Sequence, residues 1–185
     1  LRNEIHAKAE ALISAFHSID ESLSALEANI EKTIQAEITN LNRLMTTVGQ
    51  MNGQIMAAET NGEPANDLRD QRDLLINKIS EIAEVSVLER SDGTKDIILA
   101  GRTMVVRESV TLFQPGYEIT PDGAKMTILT QGGFAKVDLS EGKLEGLLTS
   151  RDKHIREVRE HLDGVARQLI EEVNSLHVQG RTATS

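Results

Sequence analysis

Residues 5–30 read IHAKAEALISAFHSIDESLSALEANI, and the apolar or small positions Ile5, Ala9, Leu12, Phe16, Ile19, Leu23, Leu26 and Ile30 are spaced four and three in strict alternation. That is the heptad seam of a coiled coil, in which the a and d positions face a partner helix. No proline occurs between Asn3 and Thr60 to interrupt it. The seam steps four and four through Ile34 and Ile38, a stutter that locally unwinds a supercoil, and resumes at Leu41, Met45, Val48, Asn52 and Ile55. A helix over this stretch would be about 85 Å long at about 1.5 Å per residue. Gly49 and Gly53 each cost a helix about 1 kcal/mol relative to alanine and predict a bend or softer region near 48–54.

Beyond this helix the chain reverses at Asn61-Gly62-Glu63-Pro64, where glycine can cap one helix and proline can open the next. Asn66 or Asp67 is a suitable N-cap, Asp67 and Asp70 lie near the positive end of the new helix dipole, and Leu68, Leu75, Ile79 and Ile82 form one stripe ending near Glu84. Residues 85–138 change character. Strand-like runs at Val85–Leu88, Asp96–Leu99, Met104–Arg107, Lys125–Thr130 and Phe134–Leu139 are separated by the turn signals Asp92-Gly93, Pro115-Gly116, Pro121-Asp122-Gly123 and Gly132-Gly133. Five or six strands are expected. The helical period then returns at Leu144, Leu148, Arg151, Ile155, Val158, Leu162, Val165, Leu169, Val173 and Leu176, and should stop near Gly180.

The expected fold class is α+β, mainly α: an elongated, antiparallel, coiled-coil-like helical bundle of residues 1–84 and 140–185, with a small antiparallel β domain, 85–139, inserted. The simplest packing lays the second and third helices along the first; a full overlap of all three is the other. Hydrophobic residues make up 39% of the chain but aromatic ones only 2%, a thin supply for a globular core. Phe113, Tyr117 and Phe134 all fall between residues 110 and 135, which predicts a single compact centre there.

Function classes narrow in the same way. With no cysteine, there is no disulfide framework, thiolate nucleophile or thiolate-ligated metal. A net charge of -9 argues against nucleic acid as a partner. No run approaches the roughly 18 apolar residues of a membrane span, and no short apolar core behind basic residues marks a secretory leader. The chain starts at Leu1 without methionine and reads as a piece of a longer protein. His6, His17, His154, His161 and His177 show no ligand spacing on one helical turn, and His177 fits the negative end of a helix. Asp67, Asp70 and Asp73 with Arg69 and Arg72 have a cation site as one reading and a helix start with salt bridges as the other, favoured one. In that reading Asp70 and Arg72 tie the turn to the first helix, and Arg72→Ala should loosen it. Gly132-Gly133 and Gly142-x-x-x-Gly146 lack the Lys-Ser/Thr of a phosphate loop, and no Gly-x-Ser-x-Gly elbow occurs. No catalytic constellation and no cofactor is expected.

One resemblance covers most of the chain. Asn66-Asp67-Leu68-Arg69-Asp70-Gln71-Arg72-Asp73, followed by Leu74-Leu75 and Ile79-Ser80-Glu81-Ile82, resembles a helix-opening segment of the flagellar hook-associated protein 1 family. Leu41-Asn42 and Met51-Asn52-Gly53-Gln54-Ile55 resemble that family's Asn-containing helical turns, with Met51 where leucine is usual. Gly142-Lys143-Leu144-Glu145-Gly146-Leu147-Leu148 with Arg151-Asp152 resembles the start of its late helix, and Val173-Asn174 with His177 and Gly180 the end. The resemblance implies an extracellular structural protein of the bacterial flagellum, exported by the type III route without a cleaved signal. It would join hook to filament. The implied partners are the hook protein, the next hook-associated protein and, in the full-length protein, other copies of itself; the structural motif would be Asn66, Asp67, Asp70, Arg72, Asp73, Asn174 and His177. The family's terminal helical segments have no counterpart here, so this chain resembles the outer part of the subunit. Two other classes stay open: a helical-bundle sensor or ligand-binding domain of a membrane receptor, and a coiled-coil arm of a cytosolic enzyme.

Overall fold

The computed structural model describes residues 2–121, 123–132 and 135–179. Asp122, Gly133, Phe134 and Gly180 lie outside the described residues, so the turn, the aromatic centre and the helix stop assigned to them are not tested there. The fold is α+β and mainly helical. Helix α1 runs Arg2–Thr60 and α2 Asn66–Ile82; strands β1 Val85–Glu89, β2 Lys95–Leu99, β3 Arg102–Val106, β4 Ser109–Val110, β5 Phe113–Thr120 and β6 Gly123–Thr130 come next; α3 is Lys143–Thr149 and α4 Arg156–Gln179. Strands β1 to β4 form an antiparallel meander and β5–β6 a separate hairpin.

Two compact units make up the chain. In the unit of Glu31–Leu148, α1 and α2 run antiparallel, and the core is aliphatic: Ile34, Ile38, Leu41, Leu44, Met45, Val48 and Ile55 from α1 and Ile76, Ile79 and Ile82 from α2 meet Ile97, Leu99, Met104 and Val105 of the sheet and Met126 and Ile128 of the hairpin. The aromatic centre expected near 110–135 does not organise it. Phe113 is buried, but Tyr117 is 59% exposed, because long stripes of Ile, Leu and Met supply the apolar area instead. On α2 the inward face is Arg72, Ile76, Ile79 and Ile82, displacing the expected Leu68 and Leu75, which are half-buried.

The reversal between α1 and α2 is a Schellman cap. Gly62, at φ +83°, donates its N–H to Glu59 O and Glu63 donates to Ala58 O. Helix α2 then begins one residue earlier than its polar side chains suggested: Ala65, buried, holds the cap position with no side-chain cap bond, and Asn66 is the first helical residue. Pro115-Gly116 is not a turn but lies inside β5, facing Ile128 and Thr127. The missing N–H of Pro115 falls on the strand's unpaired edge, and the bare Gly116 lets Leu129 lie against it, since a Cβ there would collide with Leu129 Cδ1. The strand expected over 134–139 is reduced to a single bridge, Leu129 to Lys136.

Helix α1 is unbroken through Gly49 and Gly53. Both glycines lie under the β3–β4 connection. A Cβ on Gly49 would stand 2.9 Å from Val110 Cγ2 and 3.1 Å from the backbone O of Glu108, whereas one on Gly53 would meet only the Glu108 side chain. The glycines therefore permit close approach rather than a bend. Gly49→Ala should destabilise by about 1 kcal/mol despite the better helix propensity, while Gly53→Ala should be neutral or stabilising by up to about 1 kcal/mol, because the Glu108 carboxylate can swing away. Urea midpoints of the two variants check this.

The other unit holds Leu1–Ile30 and Thr149–Ser185. Ser150–Ile155 winds as a π-helical turn between α3 and α4, which the four-three spacing did not foretell. A π turn takes up an extra residue and rotates the helix beyond it by about one position. On α4 Arg159 and Ala166 are half-buried in place of Val158 and Val165, which are exposed with Leu169, while Leu162 keeps its expected place. Arg159 Nη1 donates to Glu27 Oε2 at 2.8 Å and Nη2 to Ser24 Oγ at 3.0 Å, which sets α4 alongside the first part of α1.

Candidate functional site

The position of α1 that departs from the apolar pattern is Asn52, fully buried amid Leu and Ile. Its amide fills a gap in the β2–β3 ladder. The pairing of Ile97 with Val105 would next bring Lys95 opposite Arg107, and there the asparagine stands in for a strand. Asn52 Nδ2 donates to Lys95 O at 2.9 Å and to Arg107 O at 2.8 Å, while Oδ1 accepts from Lys95 N at 3.1 Å and from Arg72 Nη1 at 3.1 Å. Its hydrogen-bonding capacity is thereby used in full. A contact of the same kind recurs nearer the start of the helix: Asn42 Nδ2 donates to Phe113 O and Oδ1 accepts from Phe113 N, both at 2.8 Å. Two asparagine amides thus tie the sheet and the hairpin to α1.

Arg72 enters this joint from α2. Its side chain is 0% exposed, and Nη1 also donates to Gly93 O at 2.8 Å, in the turn between β1 and β2. Nε lies 3.7 Å from Asp73 Oδ1; neither Nε nor Nη2 makes a hydrogen bond. Burial pushes the guanidinium's pKa down, with Asp73 opposing it. Asp73 is held by Lys95 Nζ, at 2.8 and 2.9 Å to its two oxygens.

Around this centre the turns are locked by ion pairs. Arg69 Nε and Nη2 form a two-pronged pair with Glu59, at 2.7 and 2.8 Å, closing α2 onto the end of α1. The pair covers Gly93, whose φ is +77° and whose absent Cβ leaves it room. Arg90 Nε donates to Asp96 Oδ2 at 2.8 Å, and Asp96 Oδ1 accepts the Arg107 amide at 3.2 Å. Asp92 accepts both the hydroxyl and the amide of Thr94, and Arg107 Nε at 2.9 Å.

Three carboxyls consequently sit below their ordinary range: Glu59 through Arg69, Asp92 through Thr94, and Asp96 through Arg90. A depressed native pKa contributes stability that is present above the unfolded value and lost as pH falls through the native one. The melting temperature should therefore be level from about pH 7 to about pH 5 and fall steeply below about pH 4, with Asp96→Asn flattening the decline. Thermal scans across that range check it.

Of the residues singled out from sequence, Arg72 and Asp73 come together in this joint. Asn66, Asp67 and Asp70 are exposed at the start of α2, and the contact to the end of α1 expected of Asp70 and Arg72 is made by Arg69, a member of the same charged cluster, through its salt bridge to Glu59. Asn174 lies on α4 beside an apolar groove of about 280 Å³ lined also by Leu12, Phe16 and Leu169; His177 belongs to α4 as well. Asn42, Asn52, Lys95 and Asp96 carry the joint without having been singled out as a site. The signal was present for Asn52: a polar amide on a seam of apolar residues must find partners or cost several kcal/mol. Among the described residues no three His, Asp or Glu side chains come close enough to hold a metal ion.

The chain matches, over residues 1–185, the family model described as the flagellar hook-associated protein FlgK helical domain. It is similar to flagellar hook-associated protein 1 of Salmonella typhimurium, 25% identical over 98% of this chain and 34% of that protein. The Escherichia coli K12 protein is 26% identical over 97% of this chain and 34% of its own length, and the Bacillus subtilis one 30% identical over 57% and 21%. Among solved structures, the flagellar hook junction protein FlgK from Burkholderia pseudomallei superposes with a TM-score of 0.63 at 26% identity, over 74% of this chain and 26% of that one. The chain spans about a third of the length of the full enterobacterial relatives.

Proposed function

The chain belongs to the flagellar hook-associated protein FlgK family, through its helical domain, and from that premise we propose that it forms part of an extracellular junction subunit joining the flagellar hook to the filament. Its role is mechanical rather than catalytic. The observation that carries this reading is the polar joint: Asn52, Asn42 and Arg72 fasten sheet and hairpin to one helix through directional hydrogen bonds. Directional bonds of this kind fix one geometry, whereas apolar contact alone tolerates sliding. The partners are the hook protein on one side, the next hook-associated protein on the other, and neighbouring copies of the full-length protein. Asn66, Asp67, Asp70, Arg72 and Asp73 act in this reading as the structural motif that opens α2, with Asn174 and His177 near the end of α4.

The same reading divides the chain into a helical domain, 1–84 and 140–185, and an inserted β domain, 85–139. The feet of the insert support this division. Ser140 Oγ donates to Glu84 Oε2, and Gly142, at φ +92°, lies against the Ile82–Ala83 backbone.

Immunogold electron microscopy with antibodies raised against residues 2–179 tests the proposal. A narrow band of gold between hook and filament is expected on isolated flagella. Labelling confined to the cell envelope would instead favour a receptor domain and overturn it.

A further inference from the structure

Asn-Gly occurs at Asn52-Gly53 and again at Asn61-Gly62, and the fold gives the two steps opposite settings. In such a step the main chain can attack the asparagine side chain, because glycine has no Cβ to shield its nitrogen or restrict its approach. Asn52 is closed to that reaction. It is fully buried within α1, its amide is held by Lys95, Arg107 and Arg72, and the unbroken helix fixes the glycine nitrogen that follows. Asn61 lies one residue past the end of α1 and is exposed, and among the described residues its side-chain amide has no hydrogen-bond partner. Gly62 follows at φ +83°, with nothing within 4 Å of the point where a side chain would begin. Its N–H is committed only to Glu59 O, in the final turn, the part of a helix that opens most readily.

We infer that Asn61-Gly62 is a site of spontaneous modification that loosens the reversal between α1 and α2 with time. The Gly62 nitrogen attacks Asn61 Cγ and closes a succinimide, its proton leaving with the side-chain amide as ammonia. Water then opens the ring at either carbonyl, giving aspartate, or isoaspartate in which the main chain runs through the former side chain. Both products act against the cap. Aspartate places a negative charge at the negative end of the α1 dipole, close in sequence to Glu63. Isoaspartate adds one carbon to the main chain ahead of Gly62, so the Gly62 and Glu63 amides cannot both keep their bonds to Glu59 O and Ala58 O. Glu59 is also the residue through which Arg69 closes α2 onto α1, so the change falls where a small displacement is felt. The inference stands independently of the proposed function.

Trypsin provides an internal standard, since residues 44–69, which follow Arg43 and end at Arg69, carry both asparagines in one peptide. After the native protein stands at about pH 8 and about 37 °C for about ten days, fragment masses should place a gain of about 1 Da on Asn61 at least about tenfold more often than on Asn52. In urea, where the fold no longer separates them, the two should react at rates within about threefold of each other. The aged protein should melt about 3 to 6 °C lower, and the fresh Asn61→Asp variant about 1 to 3 °C lower. Asn61→Gln, whose attack requires a less favourable six-membered ring, should keep its melting temperature through the same incubation. Asn61 as intact as Asn52 in the native protein, reaction at Asn61 in urea alone, or a melting temperature that falls equally in Asn61→Gln overturns the inference.

Discussion

Replacing Arg72 by alanine is expected to lower stability by about 3 kcal/mol, and the melting temperature of the Glu31–Leu148 unit by about 6 to 12 °C. Two losses combine. The guanidinium fills wholly buried volume, so its removal leaves a cavity, and Gly93 O loses its donor. One term acts in the other direction: the buried charge is costly, and two of its nitrogens lack hydrogen bonds. Arg72→Met, which restores volume without charge, should therefore cost less, about 1 kcal/mol. Asn52→Ala should cost as much as Arg72→Ala, because it strands Lys95 N–H, two carbonyls and the arginine together. Since the two side chains share a hydrogen bond, the double variant should be less destabilised than the sum by about 1 kcal/mol or more. Denaturant titration of the four proteins reads this directly; additive losses would show that the joint is not a unit.

Gly142→Ala is expected to be as damaging, by about 3 kcal/mol or more, although the side chain gained is a methyl group. At φ +92° an L residue is strained, and the Cβ would lie 2.7 Å from Ala83 Cα and Ile82 O and 2.8 Å from Ala83 N. Those are backbone atoms at the end of α2 and cannot swing aside. Gly62 supplies the control: its φ is +83°, but nothing lies within 4 Å of the added carbon. Gly62→Ala should lose only the conformational part, about 1 kcal/mol. Equal melting temperatures for the two variants would show that backbone strain alone, and not the crossing at Ala83, governs position 142.

The helices were legible in the sequence because their signals are local. Heptad spacing, the Gly62–Pro64 punctuation and the return of the period after Gly142 are all read within a few residues, and α1 and α2 follow them closely. The π turn was not legible, since four-three spacing continues across Arg151 and Ile155 whether or not a residue is looped out. Pro115-Gly116 misled for a related reason: the same dipeptide suits a turn and an unpaired strand edge, and only the partner strand decides. The joint was half legible. Arg72 stood out in a charged run, yet its burial depends on Gly93 and Asn52, about 20 residues away in either direction. Asn52 was visible as a seam position and not as the filler of a strand gap, because the gap itself belongs to β2 and β3.

Where the β region leaves the helices and where it comes back are side by side, at Glu84 with Ser140 and at Ala83 with Gly142. A loop rooted at neighbouring points behaves as a pendant. Tension drawn along the chain from α2 to α3 can pass through the clasp at its root without stretching the strands that hang from it. Because Asn52 and Asn42 also fasten the strands to α1, such a pull leaves them in register against the helix.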